Sequence, residues 1–204
     1  GFIGRHLVGR LVAQGHVVHV PTRQYKRGRE LMVHPTVTVM QADVHDDATL
    51  DRLVNGCDVV VNLVGILHSR GGDPFGPDFE RAHVQLPKRI AQACRRAYTP
   101  RFIHISALGA DVQGPSGYLR SKAAGEAAIK QAYADAEHES YTIFRPSVVF
   151  GPQDQFMIMF AGLAKYLPIL AMAGAYAKMQ PVYVSDVTDA ILNVIKAPFA
   201  FNQT

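Results

Sequence analysis

Short β-branched runs alternate along this chain with longer stretches of helical periodicity. Apolar side chains in "FIGRHLVGRLVAQ" recur at three- and four-residue intervals, which predicts a helix from residue 2 that stops at Gly15. "HVVHVP" reads as a strand, followed by a basic loop and then by strand "VTVM", which runs into Gln41, Ala42 and Asp43. "DDATLDRLVNG" predicts a helix started by Asp46 or Asp47 and stopped at Gly56. "CDVVVNLVG" is almost continuously apolar, as expected of a strand covered on both faces. A helix over about 79–98 leads to strand "RFIHIS", and a helix over about 117–134 leads to strand "YTIFRPSVVF". Strand "QPVYV" then precedes the helix "SDVTDAILNVIKA".

Strand and helix alternating at this spacing imply βαβ units, hence an α/β fold with a Rossmann-like doubly wound parallel sheet. Gly1 and Gly4 read as the last two glycines of a G-x-x-G-x-x-G phosphate-binding turn. The strand and first glycine of such a turn come before it, so the first strand is expected upstream of residue 1. Residues 1–152 would form the dinucleotide-binding domain. Residues 153–204 would begin a substrate or partner region and return one Rossmann strand and helix over 179–197. The stretch 156–177, "FMIMFAGLAKYLPILAMAGAYA", holds one charge, Lys165, and is long enough to cross a bilayer. Pro168 and the Gly and Ala content break it, so it predicts buried helical segments or a surface docking on a protein partner, with no transmembrane span.

Composition changes this picture little. The 204 residues, 48% hydrophobic, suffice for one domain and part of a second. The net charge of +4 is scattered except for Arg23, Lys26, Arg27 and Arg29. One local cluster suits a single phosphate and not a nucleic acid, which would ask for a long basic stripe with interleaved aromatics. Cys57 and Cys94 lie in apolar segments at no metal-ligand spacing and read as reduced core thiols, and the nine histidines form no metal set.

The candidate chemistry sits at strand ends. In the turn Gly1-Phe2-Ile3-Gly4, Gly1 would let backbone approach a pyrophosphate and Gly4 would let the helix pack closely on the sheet. The helix N-terminus would add amide donors. NAD sites place an acid at the end of the second strand, but here Pro21-Thr22-Arg23 offers a cation, which suits the 2′-phosphate of NADP. NADP(H) is therefore favoured over NAD(H). Asp43 could accept from an adenine amino group while Ala42 or Val44 packs on the ring, and Asn62, Leu63, Val64 and Gly65 close the next strand beside the ribose. Tyr118 and Lys122, four apart near a helix start, share one face and could reach a common ligand. A phenol titrates near 10, and a neighbouring ammonium would draw it towards neutrality. Ser106, ending "RFIHIS", could donate to a substrate oxygen.

"GFIG", "ADVHD", "DVVVNLVG", "HISALGA", "YLRSKAAGE", "FRPSVVFGP" and "PVYVSDVTDAI" together resemble the extended or atypical branch of the short-chain dehydrogenase/reductase superfamily. Within it, "NLVGIL", "HISALGAD", "RPSVVFGPQDQF" and "QPVYVSDV" are most similar to the NADPH-binding accessory subunit of respiratory complex I and its bacterial relatives. The resemblance implies Ser106, Tyr118 and Lys122 as catalytic residues and places Pro146, Ser147 and Val148 beside the nicotinamide. It implies either a permanently held NADPH or an active oxidoreductase, epimerase or dehydratase acting on a small molecule or sugar nucleotide. It also implies a bacterial cytoplasmic or mitochondrial-matrix location, with membrane association only through a partner. Sugar-nucleotide enzymes of this branch carry a further Ser or Thr and a Tyr-Gly after the serine strand. "HISALGADVQGPSGY" lacks both and leaves little loop for a sugar pocket.

Overall fold

The computed structural model describes residues 1–138, 140–154, 180–197 and 200–204. The stretch 156–177, expected to form buried helices or a docking surface, lies outside the described residues.

Helix α1 (Phe2–Ala13) is followed by β1 (Val18–Thr22), a 3₁₀ helix (Tyr25–Val33), β2 (Val37–Gln41) and α2 (Asp47–Val54). Then come β3 (Val59–Asn62), α3 (Pro77–Phe79), a π-helical stretch (Glu80–Gln85), α4 (Leu86–Arg96), β4 (Arg101–Ile105) and α5 (Gly117–Ala132). β5 (Ser140–Phe144), β6 (Val149–Phe150), β7 (Val182–Tyr183) and α6 (Val184–Lys196) complete the described elements. Local chemistry fits these boundaries. Asp46 caps α2, its carboxylate accepting from Thr49 N at 2.8 Å, and Gly15 and Gly56 take the positive φ that ends α1 and α2. The basic loop after β1 is more ordered than expected, because Tyr25 to Val33 wind into the 3₁₀ helix. "YTIFRPSVVF" divides into β5 and β6, since Pro146 cannot donate to a ladder.

Every strand pairing among the described residues is parallel: β1 with β2, β3 with β4 and β4 with β5, and β6 with β7. Among the described residues β1 and β3 share no ladder. All five β4 residues are buried, as suits a strand clothed on both faces. On one face Phe102 packs with Leu50, Leu86, Ile90 and Ile129 from α2, α4 and α5. On the other, Ile103 and Ile105 pack with Leu7 of α1 and Val187 and Ile191 of α6. Helices on both faces of a parallel sheet make the fold doubly wound.

The helix over 77–96 carries the π-helical stretch for a local reason. Pro87 has no N–H and its ring would strike the carbonyl four residues back, that of His83. The chain accommodates this with one wide turn, in which Leu86 N donates to Arg81 O, five residues back. The freed His83 carbonyl faces α5 at Gly125, where a Cβ would lie 1.9 Å from the carbonyl oxygen. The π-helical stretch and α5 therefore meet at backbone distance.

Residues 200–203 run along the outer side of β5. Ile143 N donates to Gln203 O at 3.0 Å and Asn202 N to Tyr141 O at 2.8 Å. Thr142 Oγ1 donates to Ala200 O, and the buried Arg101 guanidinium lies 4.1 Å from the Phe201 ring centre.

Candidate functional site

The carboxyl ends of β1 to β4 and the start of α5 gather most of the predicted residues. Gly1 is the N-cap of α1, and nothing lies within 4 Å of where its Cβ would be. Gly4 faces Leu63, whose Cδ1 would stand 3.3 Å from an added Cβ, so the helix packs on the strand as its glycine predicts. Phe2 and Ile3 form the first turn between them.

Beside it, a cavity of about 650 Å³ is lined by Arg23, Gln41, Ala42, Asp43, His45, Ile66, Asp78, Arg81 and Ala82. Arg23 and Asp43 thus line the same cavity. Ala42 lines this cavity, whereas Val44 packs towards the core. One Asp43 oxygen accepts from His45 N at 2.9 Å, closing the strand end. Arg81, which no motif flags, faces the same space; burial lowers the His45 pKa most, and the Arg81 charge adds to it.

Asn62 is buried and fully engaged. Its Oδ1 accepts from Val64 N at 3.0 Å and its amide meets His104 Nδ1 at 3.1 Å. It fixes the strand end that Val64 and Gly65 continue, and a Cβ on Gly65 would lie 3.5 Å from Lys122 Nζ. Pro146 O accepts from Leu108 N, and Val148 O accepts from Val182 N, both at 2.9 Å. Ser147 between them is half-buried. This segment is tied to α5 by Arg145, which pairs with both oxygens of the buried Glu126 at 2.9 and 2.5 Å.

Tyr118 and Lys122 lie on one face of α5, the ammonium 5.9 Å from the phenol ring centre. Lys122 Nζ donates to Ile105 O at 3.1 Å. Burial pushes its pKa down to about 8, with Glu126 opposing. In the protein alone, burial raises the phenol pKa, and the Lys122 ammonium is directed at a strand carbonyl. Ser106 is 4% exposed and its Oγ has no partner among the described residues, as has His104 Nε2 two positions earlier on the same strand face. A buried hydroxyl without a partner is costly unless a ligand satisfies it. No group of three or more His, Cys, Asp or Glu that could hold a metal occurs among the described residues.

The Lys122 shift has a measurable consequence. The folded chain holds this proton less well than the unfolded one, whose lysine titrates near 10.5. Below pH 8 the burial cost is fully present, on the order of 3 kcal/mol, and stability rises with pH above it. Urea unfolding at near-neutral pH and at about pH 9.5 should show the parent gaining stability relative to Lys122→Met across this window. Equal pH responses would refute the shift.

A doubly wound parallel sheet with a cavity at its strand ends defines a Rossmann-type protein. The chain belongs to the NAD-dependent epimerase/dehydratase family, whose pattern it matches over residues 1–203. It is 35% identical to the mitochondrial NADH dehydrogenase [ubiquinone] 1 alpha subcomplex subunit 9 of Mus musculus, covering all of this chain and 53% of that protein. It is 30% identical to a ceramide reductase of Caulobacter vibrioides, covering 97% of this chain and 59% of that protein. The chain thus spans about half the length of the curated relatives it matches. Among solved structures, the UDP-glucuronic acid 4-epimerase of Bacillus cereus in complex with UDP-glucuronic acid and NAD superposes with a TM-score of 0.82. At 19% identity, covering 100% of this chain and 73% of that one, it shows the shared fold alone. Among the described residues no helix is long and apolar enough to cross a membrane.

Proposed function

We propose that the protein binds NADP(H) and holds it as a bound group within a larger assembly, in the manner its similarity to the complex I subunit suggests. The observation that carries the reading is the pairing of half-buried Tyr118 with buried Lys122, whose ammonium lies beside Gly65, at the carboxyl ends of the strands, as is the Arg23 cavity. Gly1 and Gly4 would admit the pyrophosphate, Arg23 would pair with the 2′-phosphate, and Asp43 and Ala42 would meet the adenosine. Tyr118 and Lys122 would hold the nicotinamide ribose, with Pro146, Ser147 and Val148 along the ring. A bound nicotinamide supplies hydride chemistry. Stretch 156–177 is the proposed contact with a protein partner, and the setting a mitochondrial matrix or bacterial cytoplasm.

A second reading, active carbonyl reduction, is favoured by the unpartnered Ser106 hydroxyl and by the Caulobacter relative. Ser106 would then donate to the substrate oxygen and Tyr118 would deliver its proton, with Lys122 steadying the phenolate. The short interval from Ser106 to Tyr118 argues for a small or extended substrate over a sugar nucleotide.

Purification of the full-length protein tests both. NADPH should co-purify near one per chain, and Tyr118→Phe should weaken it only about 2- to 10-fold, the loss of one neutral hydrogen bond. Freely exchanging NADPH, with a carbonyl reduced by the parent and not by Tyr118→Phe, would establish the second reading instead.

A further inference from the structure

His83 belongs to no motif, yet it stands at the centre of the site. It is 1% exposed, carried by the π-helical stretch, and both of its ring nitrogens are engaged. The backbone N–H of Ile66 can only donate, so His83 Nε2 accepts from it, at 3.1 Å. A neutral ring then carries its proton on Nδ1, which donates to Ser121 Oγ at 2.8 Å. Ser121 in turn donates to the Tyr118 carbonyl at 2.7 Å. Every proton in this chain has one direction available to it.

The ring contacts repeat the same linkage. Phe79 stacks on His83 at 5.1 Å and 18°, and both rings stand edgewise to Tyr118, Phe79 at 6.0 Å and 69° and His83 at 5.4 Å and 86°. Burial and the Lys122 charge hold the His83 pKa at about 3, so the neutral tautomer persists through the physiological range. One end of the linkage is Ile66, which lines the cavity; the other is the residue that presents the phenol.

We propose that His83 is a positioning residue that clamps Tyr118, through Ser121, to the loop after β3 and so fixes the wall on which the dinucleotide rests. The proposal rests on the cofactor reading above. An apolar residue of equal bulk would fill the space but would leave the Ile66 amide and the Ser121 hydroxyl unregistered against each other.

The test uses the full chain and NADPH as the probe. Ser121→Ala removes the middle link with little change in volume. His83→Phe keeps the ring packing without either bond, and His83→Asn retains a donor near the Nδ1 position. Ser121→Ala and His83→Phe should each weaken NADPH binding roughly 3- to 10-fold, with His83→Asn closer to the parent, since a neutral hydrogen bond is at stake. Nitrogen NMR of the ring should show the Nδ1–H tautomer, unprotonated down to about pH 4. A parent that binds NADPH while Ser121→Ala and His83→Phe bind it equally well overturns the proposal alone, as does an Nε2–H tautomer. A parent that binds no NADPH overturns the underlying reading, and the proposal with it.

Discussion

Replacing Arg23 by alanine should weaken NADPH binding by roughly 1.5–3 kcal/mol, about 10- to 150-fold, and leave NADH binding nearly unchanged. The asymmetry follows from chemistry. A guanidinium can pair with a 2′-phosphate through two charge-assisted hydrogen bonds, whereas a 2′-hydroxyl offers it one weak partner. The position fits as well: Arg23 follows the last residue of β1 and shares a cavity wall with Asp43, one residue beyond Ala42 at the end of β2. No carboxylate stands at the end of β1 to prefer the hydroxyl. Calorimetric titration of both dinucleotides against parent and variant decides the matter. If the parent binds NADH as tightly as NADPH, the preference for the phosphate is refuted.

Gly125→Ala should destabilise the protein by about 3 kcal/mol, lowering the melting midpoint by roughly 6–12 °C. The added Cβ would stand 1.9 Å from the His83 carbonyl oxygen and 3.1 Å from its carbon, and both are backbone atoms. No rotamer change relieves such a contact, so α5 must move away from the helix that carries Pro87. That movement would also displace His83 from Ser121, so NADPH binding should fall along with stability. A variant melting within about 2 °C of the parent would mean that the helices part at no cost.

Much of the architecture was legible because its signals are local. The nearly continuous apolar run at 57–65 announced a strand, although Val59 to Val61 of β3 are only half-buried; Asp46 and Gly56 bounded α2, and Gly4 announced a helix pressed on a strand, where Leu63 now meets it. The Tyr118 and Lys122 pair was legible because a spacing of four survives in any helix. His83 was not, since its partner Ser121 is 38 positions away. The π-helical stretch also shifts the helical phase by one residue, which spoils periodicity as a guide to which side chains face inward. Pro87 was the available signal: an internal proline in a helical pattern requires some accommodation four residues earlier. Glu126 lay inside a quoted motif, but its pairing with Arg145 depends on where β5 ends. The direction of the Tyr118 shift needed burial, which sequence spacing does not report.

The short segment 200–203 changes what the β5 side of the sheet can do. A bare parallel edge exposes a row of amides and carbonyls that will accept any extended chain, including another copy of the same protein. Here Gln203 and Asn202 occupy the Ile143 amide and the Tyr141 carbonyl, and Arg101 braces Phe201 against the sheet. The chain thereby supplies its own gatekeeper over these β5 backbone groups.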